Sequence, residues 1–298
     1  MRILLVAFIL LTLTVTAQKK DTFYKVLVVT AHPDDETAMA ATIYKITHEL
    51  HGMVDQFMIT NGEGGYKYST LAESIYGAEL TEEKIGRERL PLIRKQELIN
   101  AGKIIGMHNI FFLDQKDAHY TLDEHEPLDT SWNIPWVTTR LKEVLSQNHY
   151  DFVFCLLPDS STHGGHKAAT LLALRIVQSL PESVRPAIFG VGVSNKTDSI
   201  RTYFSQLNNY AETKTASQLP LFTTDRTASF GYNNQLSYKI IVNWEIAEHK
   251  SQGTMQLAMN RGDYEIFWSF AMNTKESVNK ARHMFESLKN VPYKTKKY

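Results

Sequence analysis

From Lys25 onward the apolar positions of this chain fall into runs of two alternating kinds. Short, nearly continuous apolar runs at 25–30, 54–60, 110–113 and 152–157, and weaker ones at 187–193 and 265–270, predict strands covered on both faces. Between them apolar residues recur at three-to-four spacing, which predicts helices. These cover 36–50 (Met39, Ile43, Ile46, Leu50), 85–105 (Leu92, Ile93, Leu98, Ile99, Ile104, Ile105), 134–147 (Val137, Leu141, Val144, Leu145), 166–180 and 239–252. The second is entered through Pro91 near its start and ends at Gly106. Strand and helix in alternation define an α/β class, a Rossmann-like three-layer fold with a mostly parallel sheet and right-handed crossovers. In such folds the active site lies beyond the carboxyl ends of the strands.

Three stretches break the pattern. Asn61 to Gly65 is a loop by composition, and residues 114–130 form a polar, acidic interruption. Residues 194–238, rich in Asn, Thr, Ser and Tyr, read as a long irregular segment with short elements, either a lid over the substrate or a surface excursion. With no repeat and no linker, residues 18–298 are expected to form a single domain. The first 17 residues stand apart: Met1-Arg2 is followed by an apolar run over 3–13 and by Val15-Thr16-Ala17, a small-x-small pattern. This is the form of a signal peptide cut after Ala17, which implies export to the periplasm or the outside and no stable membrane insertion after cleavage. The alternative is an N-terminal membrane anchor, although the run is short for a span.

Composition narrows the partners. The chain has 298 residues, 43% hydrophobic and 21% charged, ordinary for a globular protein. Loss of residues 1–17 removes Arg2 and no acid, taking 32 basic residues to 31 against 32 acidic ones. That balance does not favour nucleic acid or another polyanion. Cys155 is the only cysteine, so no intrachain disulfide exists, and its apolar neighbours predict a buried, inert thiol.

The candidate chemistry gathers at two strand ends. After the first strand comes Ala31-His32-Pro33-Asp34-Asp35-Glu36, an imidazole and three carboxylates. His32 and Asp35 can converge across the turn that Pro33 stiffens, as half of a zinc site that wants three protein ligands and a place for water. Acidic residues at a helix start also suit the helix dipole, so capping alone explains the motif about as well. The loop after the fourth strand adds Thr162-His163-Gly164-Gly165-His166, whose histidines have no capping advantage over Ser160, Ser161 or Thr162. Two histidine-bearing loops at one sheet end favour a metal site. His48 and His51 close a helix and are explained by its dipole, while His249 either lines the site or anchors its helix.

Taken together, Ala-His-Pro-Asp-Asp-Glu, Thr60-Asn61-Gly62-Glu63, Arg94-x-x-Glu97-Leu98 and His163-x-x-His166 resemble the PIG-L/LmbE family of zinc-dependent de-N-acetylases. The resemblance spans about 24–180 and continues weakly in His249-Lys250-Ser251-Gln252. It implies that His32, Asp35 and His166 bind Zn²⁺ and that Asp34 is the general base. It also implies that His163 stabilises the oxyanion or protonates the leaving amine, and that Glu63, Arg94 and Asp117 contact a sugar. Glu36 is expected only to start the helix.

The same roles follow from the chemistry of amide hydrolysis. A metal brings the pKa of water towards about 7, a base must sit beside that water, and a protonated His163 would meet the developing oxyanion. One departure stands out, because the family places Pro-Asp between the histidines where this chain has Gly164-Gly165. That removes a carboxylate able to orient an imidazole and loosens the loop. The expected activity is removal of an N-acetyl group from an N-acetylglucosamine-type glycoside. Two alternatives are a Mg²⁺-dependent phosphohydrolase using Asp34 and Asp35, and a carbohydrate-binding non-enzyme with a residual metal site. Oligomeric state leaves no mark in the sequence.

Overall fold

The computed structural model describes residues 23–198 and 202–290; the signal-peptide segment lies outside the described residues. Strands β1 (Lys25–Thr30), β2 (Met53–Thr60), β3 (Asn109–Gln115), β4 (Phe152–Leu156), β5 (Ala187–Ser194) and β6 (Phe222–Asp225) precede a two-residue pair, β7 (Ser229–Phe230) and β8 (Leu236–Ser237), and then β9 (Tyr264–Ser269). Seven of them form one sheet in the order β3-β2-β1-β4-β5-β9-β6. The first five are mutually parallel, and β9 lies antiparallel between β5 and β6. The chain builds outward from β1 in one direction through β2 and β3 and in the other through β4 and β5. The order therefore reverses between β1 and β4, where the strand ends leave a crevice.

Alternation along β1 shows why its run is apolar throughout. Val26 and Val28 join a core that includes Ile43, Ile46, Ile241 and Phe285, whereas Leu27 and Val29 join one that includes Leu141, Val144, Leu172 and Val177. Helices α1 (Ala40–Tyr44), α2 (Glu73–Tyr76) and α3 (Glu83–Ile105) come before α4 (Ile134–Asn148), α5 (Gly164–Ser179), α6 (Tyr238–Glu248), α7 (Gly253–Gln256) and α8 (Lys275–Asn290). The first core packs α1, α6 and α8 on one face of the sheet, the second packs α4 and α5 on the other, and three layers result. Cys155 is fully buried, and burial pushes its thiol well up, as its neighbours predict.

Three elements differ from the sequence pattern. The helix expected over 36–50 is built of a tight turn over Asp35–Met39, α1, and a wide turn over Lys45–Glu49. The interruption has a cause on a distant strand: the Glu265 carboxylate accepts the Ala41 and Thr42 amides at 2.8 Å each, capping α1 from within. Glu265 also receives Arg226 at 2.9 Å, so a buried ion pair fixes the turn. The segment read as irregular contributes β6, a strand of the main sheet paired with β9, and this pairing, absent from local sequence, supplies its order. Helix α8 has no counterpart among the expected elements, although Ala281, Met284, Phe285 and Leu288 are buried along one side.

Candidate active site

The crevice between β1 and β4 is where the predicted residues meet. Just past β1 the chain turns, and the Asp35 carboxylate closes the turn by accepting the Ala31 and His32 amides at 3.0 and 2.9 Å. Asp35 Oδ1 lies 2.9 Å from His166 Nε2, and its Oδ2 lies 3.7 Å from His32 Nδ1. Donor atoms of His32, His163 and His166 all fall within 4.8 Å of one another. Asp35 thus lies between the imidazoles of His32 and His166, and ligands sharing a tetrahedral zinc would stand roughly 3.3 Å apart. Imidazole nitrogens and a carboxylate suit zinc, whereas Mg²⁺ prefers an all-oxygen shell.

Charge in the site is uneven. Burial works against ionising Asp35, yet His166 and His32 beside it hold its carboxyl well below the usual range. Burial likewise opposes a charge on His32, but Asp117 and Asp35 outweigh it and bring its pKa to about 10. Asp34 moves the other way: burial, with the Asp35 charge, outweighs Arg94 and raises its pKa to about 6, a value suited to a base. Its backbone is at φ 122°, a region that non-glycine residues avoid.

Two braces hold that conformation. Glu36, fully buried, accepts the Asp34 amide at 3.1 Å through Oε2 and receives Gln56 Nε2 at 3.3 Å, while its Oε1 lies 2.7 Å from His249 Nε2. Glu36 thus does more than start a helix, and His249 is sealed at its back rather than lining the crevice. Glu245 completes this buried group at 3.4 Å from His249. The second brace is Arg94, whose guanidinium donates to the Pro33 and Gly62 carbonyls and lies 3.1 Å from Asp34 Oδ2. Arg94 is 2% exposed, and its Nη atoms are engaged by backbone carbonyls and by Asp34. Gly62 is required beneath it, since its φ is +69° and a Cβ there would fall 2.0 Å from Arg94 Nη1.

Glu63 and Asp117 come from the ends of β2 and β3. Glu63 Oε1 accepts the Asp117 amide at 3.1 Å, and its buried Oε2 has no hydrogen-bond partner among the described residues. Asp117 Oδ2 accepts Gly64 N–H at 3.1 Å, while Oδ1 lies 3.7 Å from His32 Nε2. Asp117 is therefore set against a proposed metal ligand, a proximity its loose sequence match did not suggest.

His163 stands across the crevice with its ring 4.8 Å from that of His32 and 5.4 Å from that of His166. Burial, then the charges of His32 and His166, lower its pKa to about 4, against the protonated ring expected from the sequence. The two glycines after it have a physical reason. A Cβ on Gly164 would stand 2.2 Å from the Asp123 carbonyl oxygen, and one on Gly165 would crowd His32 and His163 at 3.0 and 3.1 Å. The pair lets the 114–130 segment close against α5, where Gly164 N donates to Thr121 O at 2.7 Å. Thr162 Oγ1, 3.0 Å from His166 Nδ1, orients that ring where the family pattern has a carboxylate.

A fold with its order reversed beside a His/Asp cluster of this kind defines a class, and the class is confirmed by comparison. The family model described as PIG-L, GlcNAc-PI de-N-acetylase, matches residues 27–177, and the chain belongs to that family. It is accordingly an enzyme, a hydrolase acting on an amide bond. A Bacillus cereus protein named probable N-acetyl-alpha-D-glucosaminyl L-malate deacetylase 2 is 25% identical over 187 residues, covering 63% of this chain and 76% of its own. A Bacillus subtilis protein of the same name is 22% identical over 175 residues, with 59% and 70% covered. The structure of GalB, the 4-carboxy-2-hydroxymuconate hydratase of Pseudomonas putida KT2440, aligns with a TM-score of 0.50 at 13% identity, over 85% of this chain and 99% of that one. This last likeness is one of fold, so the reaction is argued from the site.

Proposed function

We propose that the enzyme is a zinc-dependent N-deacetylase that hydrolyses the acetamido group of an N-acetylglucosamine-type glycoside, releasing acetate and a free amine. The observation that carries this reading is the convergence of His32, Asp35 and His166 beside a carboxyl, Asp34, poised to accept a proton. Relatives named as deacetylases of an N-acetylglucosaminyl compound support the substrate class. Zinc held by His32, Asp35 and His166 would supply Lewis acidity and lower the pKa of the attacking water.

The chain's own groups carry the protons. Asp34, fixed by Arg94 and Glu36, takes a proton from water as the oxygen attacks the acetyl carbon. When the C–N bond breaks, the same carboxyl returns the proton to the amine, whose expulsion as an anion is prohibitive. His163 donates to the carbonyl oxygen as charge grows there, through the N–H that otherwise faces the His119 carbonyl at 3.4 Å. Asp117 and Asp35 flank His32 and orient its ring.

Zinc content and acetate release, measured together, test the assignment. His32→Ala and His166→Ala should each lose both, and full turnover by metal-free wild type would overturn the reading. Asp34→Asn should keep zinc and lose about 10²–10⁴-fold in kcat. Retained acetate release would remove Asp34 as base. We further propose that residues 1–17 direct export, on the charged start, apolar run and small-residue end of that segment. Mass spectrometry of the exported protein should find Gln18 at the N-terminus, and an intact Met1 would reject cleavage.

A further inference from the structure

Above the candidate site, the chain projects an aromatic ring that none of the roles assigned above uses. Tyr120 is 62% exposed, yet its ring stacks on His163 with centroids 4.9 Å apart and planes at 23°. Its segment is fastened on both sides. Before it, Arg87 donates to the Asp117 and Ala118 carbonyls, and the Asp117 side chain accepts Gly64 N–H. After it, Gly164 N donates to Thr121 O, while Lys167 donates to the Leu122 carbonyl and pairs with Glu124 at 2.9 Å. His163 Nε2 lies 3.4 Å from the intervening His119 carbonyl. Residues 119–120 are thus a short, anchored tip beside the imidazole, not a free loop.

An aromatic face held open to water on a rigid tip is costly to leave uncovered and cheap to bind with, because little side-chain freedom remains to be lost. One step outward from His163 is where the ring bearing a scissile acetamido group would lie. A pyranose offers there a face of C–H groups that suits an aromatic ring, with its hydroxyls directed to the rim.

We propose that Tyr120 is a specificity-determining residue, a stacking platform continuous with His163 for the pyranose that carries the N-acetyl group. The proposal rests on the deacetylase reading above. It predicts that Tyr120 discriminates cyclic from acyclic N-acetyl compounds without taking part in the chemical step.

The test compares zinc-loaded wild type, Tyr120→Phe and Tyr120→Ala on methyl N-acetylglucosaminide and on N-acetylethanolamine, which has no ring. Tyr120→Ala should raise KM for the sugar on the order of tenfold, with kcat within twofold. Constants for N-acetylethanolamine should not change, and Tyr120→Phe should restore the sugar KM. A fall in kcat shared by both substrates would show that Tyr120 only props His163, and unchanged constants on both would equally overturn the proposal. Calorimetry of methyl N-acetylglucosaminide binding to Asp34→Asn, with and without Tyr120→Ala, reads the same contact without turnover. A tenfold loss of affinity supports the platform and equal affinity rejects it, whether or not wild type releases acetate. Absence of acetate release from wild type, by contrast, counts against the deacetylase reading alone.

Discussion

Asp34 combines a backbone angle that costs energy, burial, and two braces from separate elements, Glu36 and Arg94. Strain of order 1–3 kcal/mol persists only where surroundings enforce it, and here it directs a carboxyl toward the crevice. Burial raises the pKa of that carboxyl to about 6. A base works as the carboxylate, so turnover should fall as pH drops through about 6 and level off above it, with a bound cation moving the limb lower. A kcat–pH profile of wild type checks this, and an acidic limb unaltered in Asp34→Glu would assign it to another group. Residue types at 32, 34, 35, 163 and 166 were legible because each sits next to a strand end. The roles of Arg94 and Glu36 were not, since nothing local distinguishes an arginine facing substrate from one whose donors meet carbonyls 32 and 61 residues away.

At the scale of elements, the site turn depends on a strand that does not touch the crevice. Glu265 on β9 caps α1 through the Ala41 and Thr42 amides and neutralises Arg226, which in turn donates to the Thr37 carbonyl. Glu265→Ala would leave the buried Arg226 without its counter-ion and two amides uncapped, at a cost of about 3–5 kcal/mol. The thermal midpoint should fall on the order of 10 °C, read by circular dichroism, and a change under 2 °C would refute the role. The sheet strands that run apolar on both faces could be read directly, because burial writes itself into composition. Strand β6 and helix α8 escaped, the first because four residues with alternate burial carry too little pattern, the second because its polar side dominates its composition.

For the whole molecule, the metal would join loops from two different crossovers. His32 and Asp35 follow β1 while His166 lies on α5 after β4, so a shared ion ties together segments that separate on unfolding. Zinc at a hundred times its dissociation constant should stabilise the fold by about 2.7 kcal/mol. That corresponds to a rise of about 5–10 °C in midpoint after a chelated sample is reloaded. The rise should vanish in His166→Ala, and a rise that survived there would place the ion elsewhere. What the sequence by itself determined was the α/β alternation, the family, and the identity of the groups at two strand ends, because periodicity and short motifs are local properties of a chain. What only the tertiary structure decided was how those groups are used. The lowered pKa of His163, the bracing of Asp34, the placement of Tyr120 and the need for Gly164-Gly165 all depend on atoms close in space and distant in sequence, and burial and Coulomb interactions act through space.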